Sequence, residues 1–532
     1  MVVCRFRSYQ VLIKTLHTQR EGEALVGNRK FLKFCFMKTQ NIFITASFVA
    51  FIALAYLYFP ESIDDAYITL RYSKNLLLGN GPIFNIGERV EGYSNFSWMV
   101  LLAAFGWIGA PMEMAMKVLS LAAGLGVLVL VWKFSVNNFK SGLAITSAVV
   151  LLATSSFFAV WSVDGLETMF YTLLLTALVY CLTTDNASPL LIGVIAALTA
   201  LTRPEGIMFS LIAVMYLMYK KGLIPGLKAL APVAIVAGGY ELFRINYFGE
   251  LVSNTAIAKV HWSFNKTLEG LQYLNTYNID SGYLILPAAL VGAVAFMKNP
   301  RLHIPIIFIL AQIFFLMVSG RDFMYAYRFI IPVLPCLALL CASAIEIAYE
   351  RLNRNFALIA LIIIAGSQAF STYAALPKKH IGFDNLTFRN SFLFEIAEFL
   401  APRSAPNDWI LLSEAGIIPY YVNANVRDYM GLASPYYSVY NENHAINFDY
   451  IFSANPKFLL ISFVEAEDGS IHPRMHAEAQ ILLNPKFNSS YSAIQNFDFS
   501  RDTSFLNALY YLYSPKKIKR VFYTVFERTS NS

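Results

Sequence analysis

Eleven separate stretches of this chain are apolar enough to be helices crossing a lipid bilayer, and that recurrence limits the fold before any motif is read. They are residues 41–59, 115–132, 142–161, 168–184, 189–201, 206–219, 227–243, 283–297, 304–319, 329–346 and 356–376. A helix needs about 20 apolar residues to cross the hydrocarbon core, and inside lipid it must satisfy its backbone polar groups within itself. Composition agrees. Of 532 residues, 57% are hydrophobic and only 14% charged, against about 25% charged in soluble domains. With 28 Gly, 21 Pro and 5 Cys, collagen-like, disordered and disulfide-scaffold classes are excluded. The expected fold is a multi-pass α-helical membrane protein with about 11 spans.

Charge sets the orientation. The net charge is +7, and residues 1–40 carry eight Lys/Arg against Glu21 and Glu23, so the rest of the chain is nearly neutral and offers no nucleic-acid surface. The first apolar run has no small-x-small cleavage site and ends at Pro60, so it reads as an uncleaved anchor; Met37 just before it is an alternative start. Lysine and arginine accumulate on the cytoplasmic side. With eleven spans and a cytoplasmic basic arm at 1–40, the inner turns hold Lys133, Lys140, Lys220, Lys221, Lys228, Lys298, Arg301, Arg351 and Arg354. Counting residues 95–109 as a further span would turn those lysines outward. That stretch is therefore expected to be a helix lying in or dipping into the outer interface, with Trp98 and Trp107 at headgroup level.

The expected organisation is the arm 1–40, a membrane unit 41–376 with a first outer loop 60–114, and an extracytoplasmic soluble mixed α/β domain 377–532. The last is rich in Asn, Ser, Tyr and charge, with strand-like runs at Trp409–Leu412, Phe458–Phe463 and Val521–Phe526.

The first outer loop carries the chemistry. Asp64 and Asp65 stand at the start of a helical pattern that runs to Leu78 and is stopped by Gly79-Asn80-Gly81-Pro82. Ser62 lies three residues before Asp65, a capping-box-like spacing, and acids in a first turn are favoured by the helix dipole. The alternative is chemical: the pair sits where a lipid-borne substrate presents its headgroup. Asp64, Ile68, Arg71 and Asn75 share one helix face, so an acid could deprotonate a hydroxyl while an arginine holds a phosphate. Other outer turns place charge at an apolar boundary: Asp164 to Glu167, Arg203 to Glu205, and Arg321-Asp322 on to Arg328. Ion pairs such as Arg203 with Glu205 or Arg321 with Asp322 are one explanation, and a shared polar cavity is the other. Lys259 and His261 follow in the loop 244–282. Metalloprotease, serine-hydrolase, Walker and dinucleotide fingerprints are absent.

The motifs together resemble a known family. Asp64-Asp65-Ala66-Tyr67-Ile68, Arg71-Tyr72, Asn75, Gly79-Asn80-Gly81, Asn85-Ile86-Gly87-Glu88, Val90-Glu91-Gly92-Tyr93-Ser94-Asn95 and Trp98 are similar to the first-loop signature of the bacterial terminal arabinofuranosyltransferases. Those enzymes are multi-spanning GT-C glycosyltransferases that use polyprenyl-phosphate sugars. Gly165-Leu166-Glu167, Arg203-Pro204-Glu205-Gly206, Asn254 with Lys259, Arg321-Asp322 with Arg328-Phe329, and Gly416 to Tyr421 leading to Asp428 and Gly431-Leu432 continue the resemblance to about residue 435. It implies a bacterial cytoplasmic-membrane protein with a first-loop aspartate as catalytic base.

The expected reaction is inverting transfer of an arabinofuranose-like or other pentose or hexose to an envelope glycan or lipid-linked acceptor. Asp64 is the expected base, with Asp65 positioning it, binding acceptor or replacing it. Arg71, Arg203, Lys259, Arg321 and Arg328 are candidates for the donor phosphate, and Asn75, Glu167, Glu205 and Asp322 for orienting those cations or binding sugar. No His or third carboxylate flanks the acid pair, so neither metal nor other cofactor is expected. The rival readings are a transporter or flippase of a lipid-linked substrate and a non-catalytic glycan-binding scaffold.

Overall fold

The computed structural model describes residues 40–60, 62–259, 263–295, 297, 299–378, 385–441, 445–498 and 518–529; the arm 1–39 and His261 lie outside them. Among the described residues, six helices are long and apolar enough to cross a membrane: Gln40–Tyr58, Met112–Asn138, Leu223–Phe248, Pro300–Ser319, Ile331–Arg351 and Arg354–Ala375. Phe264–Asp280 and Ile285–Ala295 form a further pair bent by 102°. Phe96–Trp107, Gly142–Ala153, Thr168–Thr183, Pro189–Thr202 and Gly206–Lys221 are shorter apolar helices. Every one of the eleven apolar runs is therefore helical, while the long uninterrupted spans are fewer than eleven.

Two runs differ from expectation for local reasons. The run 142–161 breaks after Ala153, where the Ser155 hydroxyl caps a new short helix, Ser156–Trp161. The run 283–297 follows an amphipathic helix that buries Gly270, Tyr273 and Tyr277 at helical spacing. The bend between them falls at Gly282, with φ 85°. A Cβ there would stand 2.3 Å from Ser367 Oγ, so the glycine serves both the turn and the close approach.

The expectation for Trp98 is corrected. Trp107 is 80% exposed, but Trp98 is fully buried, its Nε1 donating to Gly165 O at 3.1 Å and its ring 5.6 Å from Phe170. The Phe96–Trp107 helix has no polar face, so one tryptophan turns into the bundle.

Small residues bring the helices together, as membrane packing requires: a Cβ on Gly292 would meet Leu340 O at 1.9 Å. Glu346 is a buried charge with a structural task. Its carboxylate accepts from Lys140 N at 2.8 Å, Ser141 N at 3.0 Å and the Ser141 hydroxyl, capping the Gly142–Ala153 helix from another element. Glu346→Ala is expected to lower stability by about 2 kcal/mol, read as a fall in the thermal midpoint of the detergent-purified protein.

Beyond the helix Asn385–Leu400 lies a mixed sheet of β1 (Trp409–Leu412), β2 (Asn425–Asp428), β3 (Phe458–Ala466), β4 (Ile471–Pro473), β5 (Tyr491–Asp498) and β6 (Ile518–Arg528). The order is β2-β1-β3-β6-β5, with β4 on β3. β1 runs parallel to β2 and β3, and β3 is antiparallel to β6. Alternation sorts the strand residues: Leu411, Leu459 and Ile461 pack with Tyr429, Ile451 and Ile481 on one face, while Leu412, Leu460 and Tyr523 join Phe392 and Ile396 on the other.

Candidate active site

The helix Asp64–Leu77 opens the site. Ile63, not Ser62, occupies its N-cap, and no side chain caps it; the two aspartates supply the negative charge of the first turn. The helix ends where Gly79 (φ 80°) leaves the right-handed region. Asp64 reaches across the molecule. One carboxylate oxygen accepts from Ile417 N at 2.7 Å and the other from Gly416 N at 3.1 Å. Burial first, then the neighbouring charge of Glu414, push its pKa up to about 8, against the pull of the two amides.

The shared face of this helix does not line an open cavity; it docks on the sheet unit. Arg71 is buried and donates to Phe84 O (2.8 Å), Ala424 O (2.8 Å), Asn85 Oδ1 (3.3 Å) and Pro419 O. Burial lowers its pKa to about 10. Asn75 donates to Ile83 O and Phe84 O. Arg71, expected at the donor phosphate, and Asn75, expected to orient a cation or bind sugar, are both engaged by backbone carbonyls. Further struts join the same parts. Asn85 Oδ1 accepts from Val426 N at 2.9 Å, Arg427 pairs with Glu88 at 2.7 Å, and Asn254 Nδ2 donates to the carbonyls of Gly431, Leu432 and Ser434.

Asp65 points elsewhere. Among the described residues it makes no hydrogen bond or ion pair, and its charge acts on Asp164. Asp164 is buried, accepts from the Tyr325 hydroxyl at 2.7 Å through Oδ1, and leaves Oδ2 unpartnered. Burial pushes its pKa up to about 7, opposed by that hydrogen bond and by the charges of Lys117 and Arg328. Arg328 pairs with Asp322 through Nε (2.7 Å) and Nη2 (3.1 Å), on a turn where Ala326 and Tyr327 hold positive φ. Arg321 on the same turn is exposed and makes no hydrogen bond or ion pair with the described residues. The expected Arg321–Asp322 pair is thus replaced by Arg328–Asp322.

Arg203 is enclosed between two acids, 2.7 Å from Glu167 and 2.5 Å from Glu205, all three buried. Asn95 Nδ2 also donates to Glu167 at 2.9 Å. This is the ion-pair alternative, with Glu167 and Glu205 orienting the Arg203 cation. The backbone of Lys259 ends the short helix Asn254–Lys259. The structure thus gathers Asp64, Asp65, Asp322 and Arg328 with Asp164, which the sequence marked as a boundary charge without a site role, and with three residues that sequence reasoning did not select: Lys117, Tyr325 and Glu414. Glu414 carried no local signal.

The fold, a bundle of apolar helices joined to a mixed sheet unit, is of the GT-C type. ArnT from Cupriavidus metallidurans bound to undecaprenyl phosphate superposes with TM-score 0.56 at 12% identity, covering 91% of this chain and 97% of that one. The Archaeoglobus fulgidus oligosaccharyltransferase gives 0.54 at 12% identity, over 91% and 88%. In sequence the chain is similar to two curated proteins named terminal beta-(1->2)-arabinofuranosyltransferase. That of Mycobacterium tuberculosis is 31% identical over 239 residues, covering 40% of this chain and 37% of the relative. That of Corynebacterium glutamicum is 26% identical over 365 residues, covering 58% and 51%. The chain thus spans about half or less of their length. Residues 384–514 match a domain of unknown function, DUF8728.

Proposed function

We propose that the chain is a glycosyltransferase that moves a sugar from a polyprenyl-phosphate donor to an envelope glycan or lipid-linked acceptor at the outer face of the membrane. The observation that carries this reading is the pair of unlike acids on one helix turn. Asp64 is held by two amides and made more basic by its surroundings; Asp65 lacks a partner among the described residues and faces the Asp164–Arg328 side. The resemblance of the first-loop motif to arabinofuranosyltransferases and the undecaprenyl phosphate of the similarly folded ArnT support the donor class.

The acceptor hydroxyl gives its proton to Asp64 as its oxygen bonds to the anomeric carbon. The bond from that carbon to the phosphate oxygen breaks, and polyprenyl phosphate leaves with the electron pair. A phosphate leaving group needs charge neutralisation rather than protonation, so one base and nearby cations suffice. Arg328, oriented by Asp322, and Arg321, which has no partner among the described residues, are the phosphate ligands, with Lys259 a third. A single displacement inverts the anomeric centre.

The test is a pH profile of kcat/KM in detergent. A base must be unprotonated to act, so a carboxylate pushed up to about 8 places the acid limb near neutral pH, with rates falling about tenfold per pH unit below it. A profile that is flat between roughly pH 5 and 9 contradicts Asp64 as the base.

A further inference from the structure

The groups that fix Asp64 come from a segment 352 residues further along the chain, immediately after the carboxyl end of β1. Ligands in parallel α/β sheets gather outside the carboxyl ends of the strands, and here β1 and β2 run parallel with those ends turned to the first-loop helix. Ser413, Glu414, Ala415, Gly416 and Ile417 make the turn. It has no spare room: a Cβ on Gly416 would lie 1.9 Å from Asp64 O, so the two backbones are in direct contact. Glu414 is fixed from two further strands' worth of structure. Its Oε1 accepts from Arg474, the residue after β4, and from the Tyr523 hydroxyl on β6. β2 ends in Asp428, buried and bonded by the amides of Met430, Leu432 and Ala433.

The geometry points to Glu414 as a positioning residue for the base: through the Gly416–Ile417 amides and the locked Glu414 carboxylate, the sheet unit completes the catalytic centre. This inference rests on Asp64 being the base. The charge of Glu414 is second only to burial in raising the proton affinity of Asp64, so the turn orients the acid with its amides and sharpens it with its carboxylate. The other charged group acting on Asp64 is Asp65 on its own helix. Tyr67, one turn on, lies under the influence of both Asp64 and Glu113. Tyr67 packs edge-on against Phe394 of the Asn385–Leu400 helix, which carries no charge, and its ring also meets the phenols of Tyr420 and Tyr421 that follow the turn. A turn that served only to dock two units would need neither the carboxylate nor its two restraints.

The experiment compares kcat/KM against pH for the detergent-purified full chain and its variants, with a polyprenyl-phosphate sugar as donor. Glu414→Gln is expected to move the acid limb down by about one pH unit, since a neighbouring like charge shifts a carboxylate upward by that order. Arg474→Gln leaves the Glu414 charge uncompensated and is expected to move the limb up. Glu414→Asp keeps the charge and is expected to hold the limb near its unsubstituted position. A limb that stays put in both Glu414→Gln and Arg474→Gln overturns the inference while leaving Asp64 as the base; if Glu414→Gln does not fold, Arg474→Gln alone decides. Absence of any donor turnover by the unsubstituted protein overturns the parent reading instead, and this inference with it.

Discussion

With asparagine at position 64, kcat/KM for sugar transfer is expected to fall by about 10²–10⁴-fold, the usual contribution of a positioned general base. The substitution keeps the shape of the side chain. Its amide oxygen can still accept from one of the Gly416 and Ile417 amides, but the NH2 group faces the other and can take no proton from an acceptor. The loss is therefore expected mainly in kcat, with the KM for donor nearly unchanged. Asp65→Asn is the informative companion, because that carboxylate has no hydrogen bond to lose among the described residues and its replacement leaves folding intact. Should Asp65→Asn abolish transfer while Asp64→Asn retains it, the roles of the two acids are exchanged. Should both variants work at full rate, neither is the base.

Arg203→Leu is expected to give the largest loss of stability, about 3–5 kcal/mol, because removing one partner of a buried ion network leaves the others uncompensated. Glu167 and Glu205 would then face each other without the cation that separates them, both almost fully shielded from solvent. Asn95 can satisfy part of Glu167; no described side chain does the same for Glu205. The rings of Tyr171 and Phe329, 5.8 and 5.4 Å from the guanidinium, would also lose their cation. The checking measurement is the thermal or denaturant midpoint in detergent, and an unchanged midpoint contradicts the structural role. Arg203→Lys is expected to fall between, since a single ammonium cannot bond both acids as the guanidinium fork does.

What could be read beforehand followed from local pattern. The apolar runs became helices because hydropathy alone decides which segments can be buried in lipid. Trp409–Leu412 was recognised to the residue, since four apolar residues between turn signals have few alternatives. The end of the first-loop helix was recognised within a residue of Leu77 from Gly79, while its start was read from a capping-box-like Ser62 where the structure has Ile63 at the N-cap. Where the reading went astray, the deciding contact was distant in sequence. Spacing correctly places Asp64, Arg71 and Asn75 on one face, but cannot say that this face meets carbonyls 348 and 353 residues away rather than a substrate. The Arg203–Glu205 pair was named as one alternative, but its second acid, Glu167, lies 36 residues back and was not paired with it. Trp98 was assigned to the interface on residue type alone, whereas its neighbour Gly165 leaves a carbonyl for it inside the bundle. Glu414 gave no sign at all: its importance comes from a chain crossing that only the folded molecule reveals.

The most direct test of the account supplies the detergent-purified chain with a polyprenyl-phosphate pentose and a glycan acceptor, and follows the lipid by mass spectrometry. The account predicts free polyprenyl phosphate in equal amount to a new glycosidic bond, with no sealed membrane required. Donor that stays intact in detergent, with movement of the lipid-linked sugar seen only across closed vesicles, would contradict it and mark the protein as a carrier.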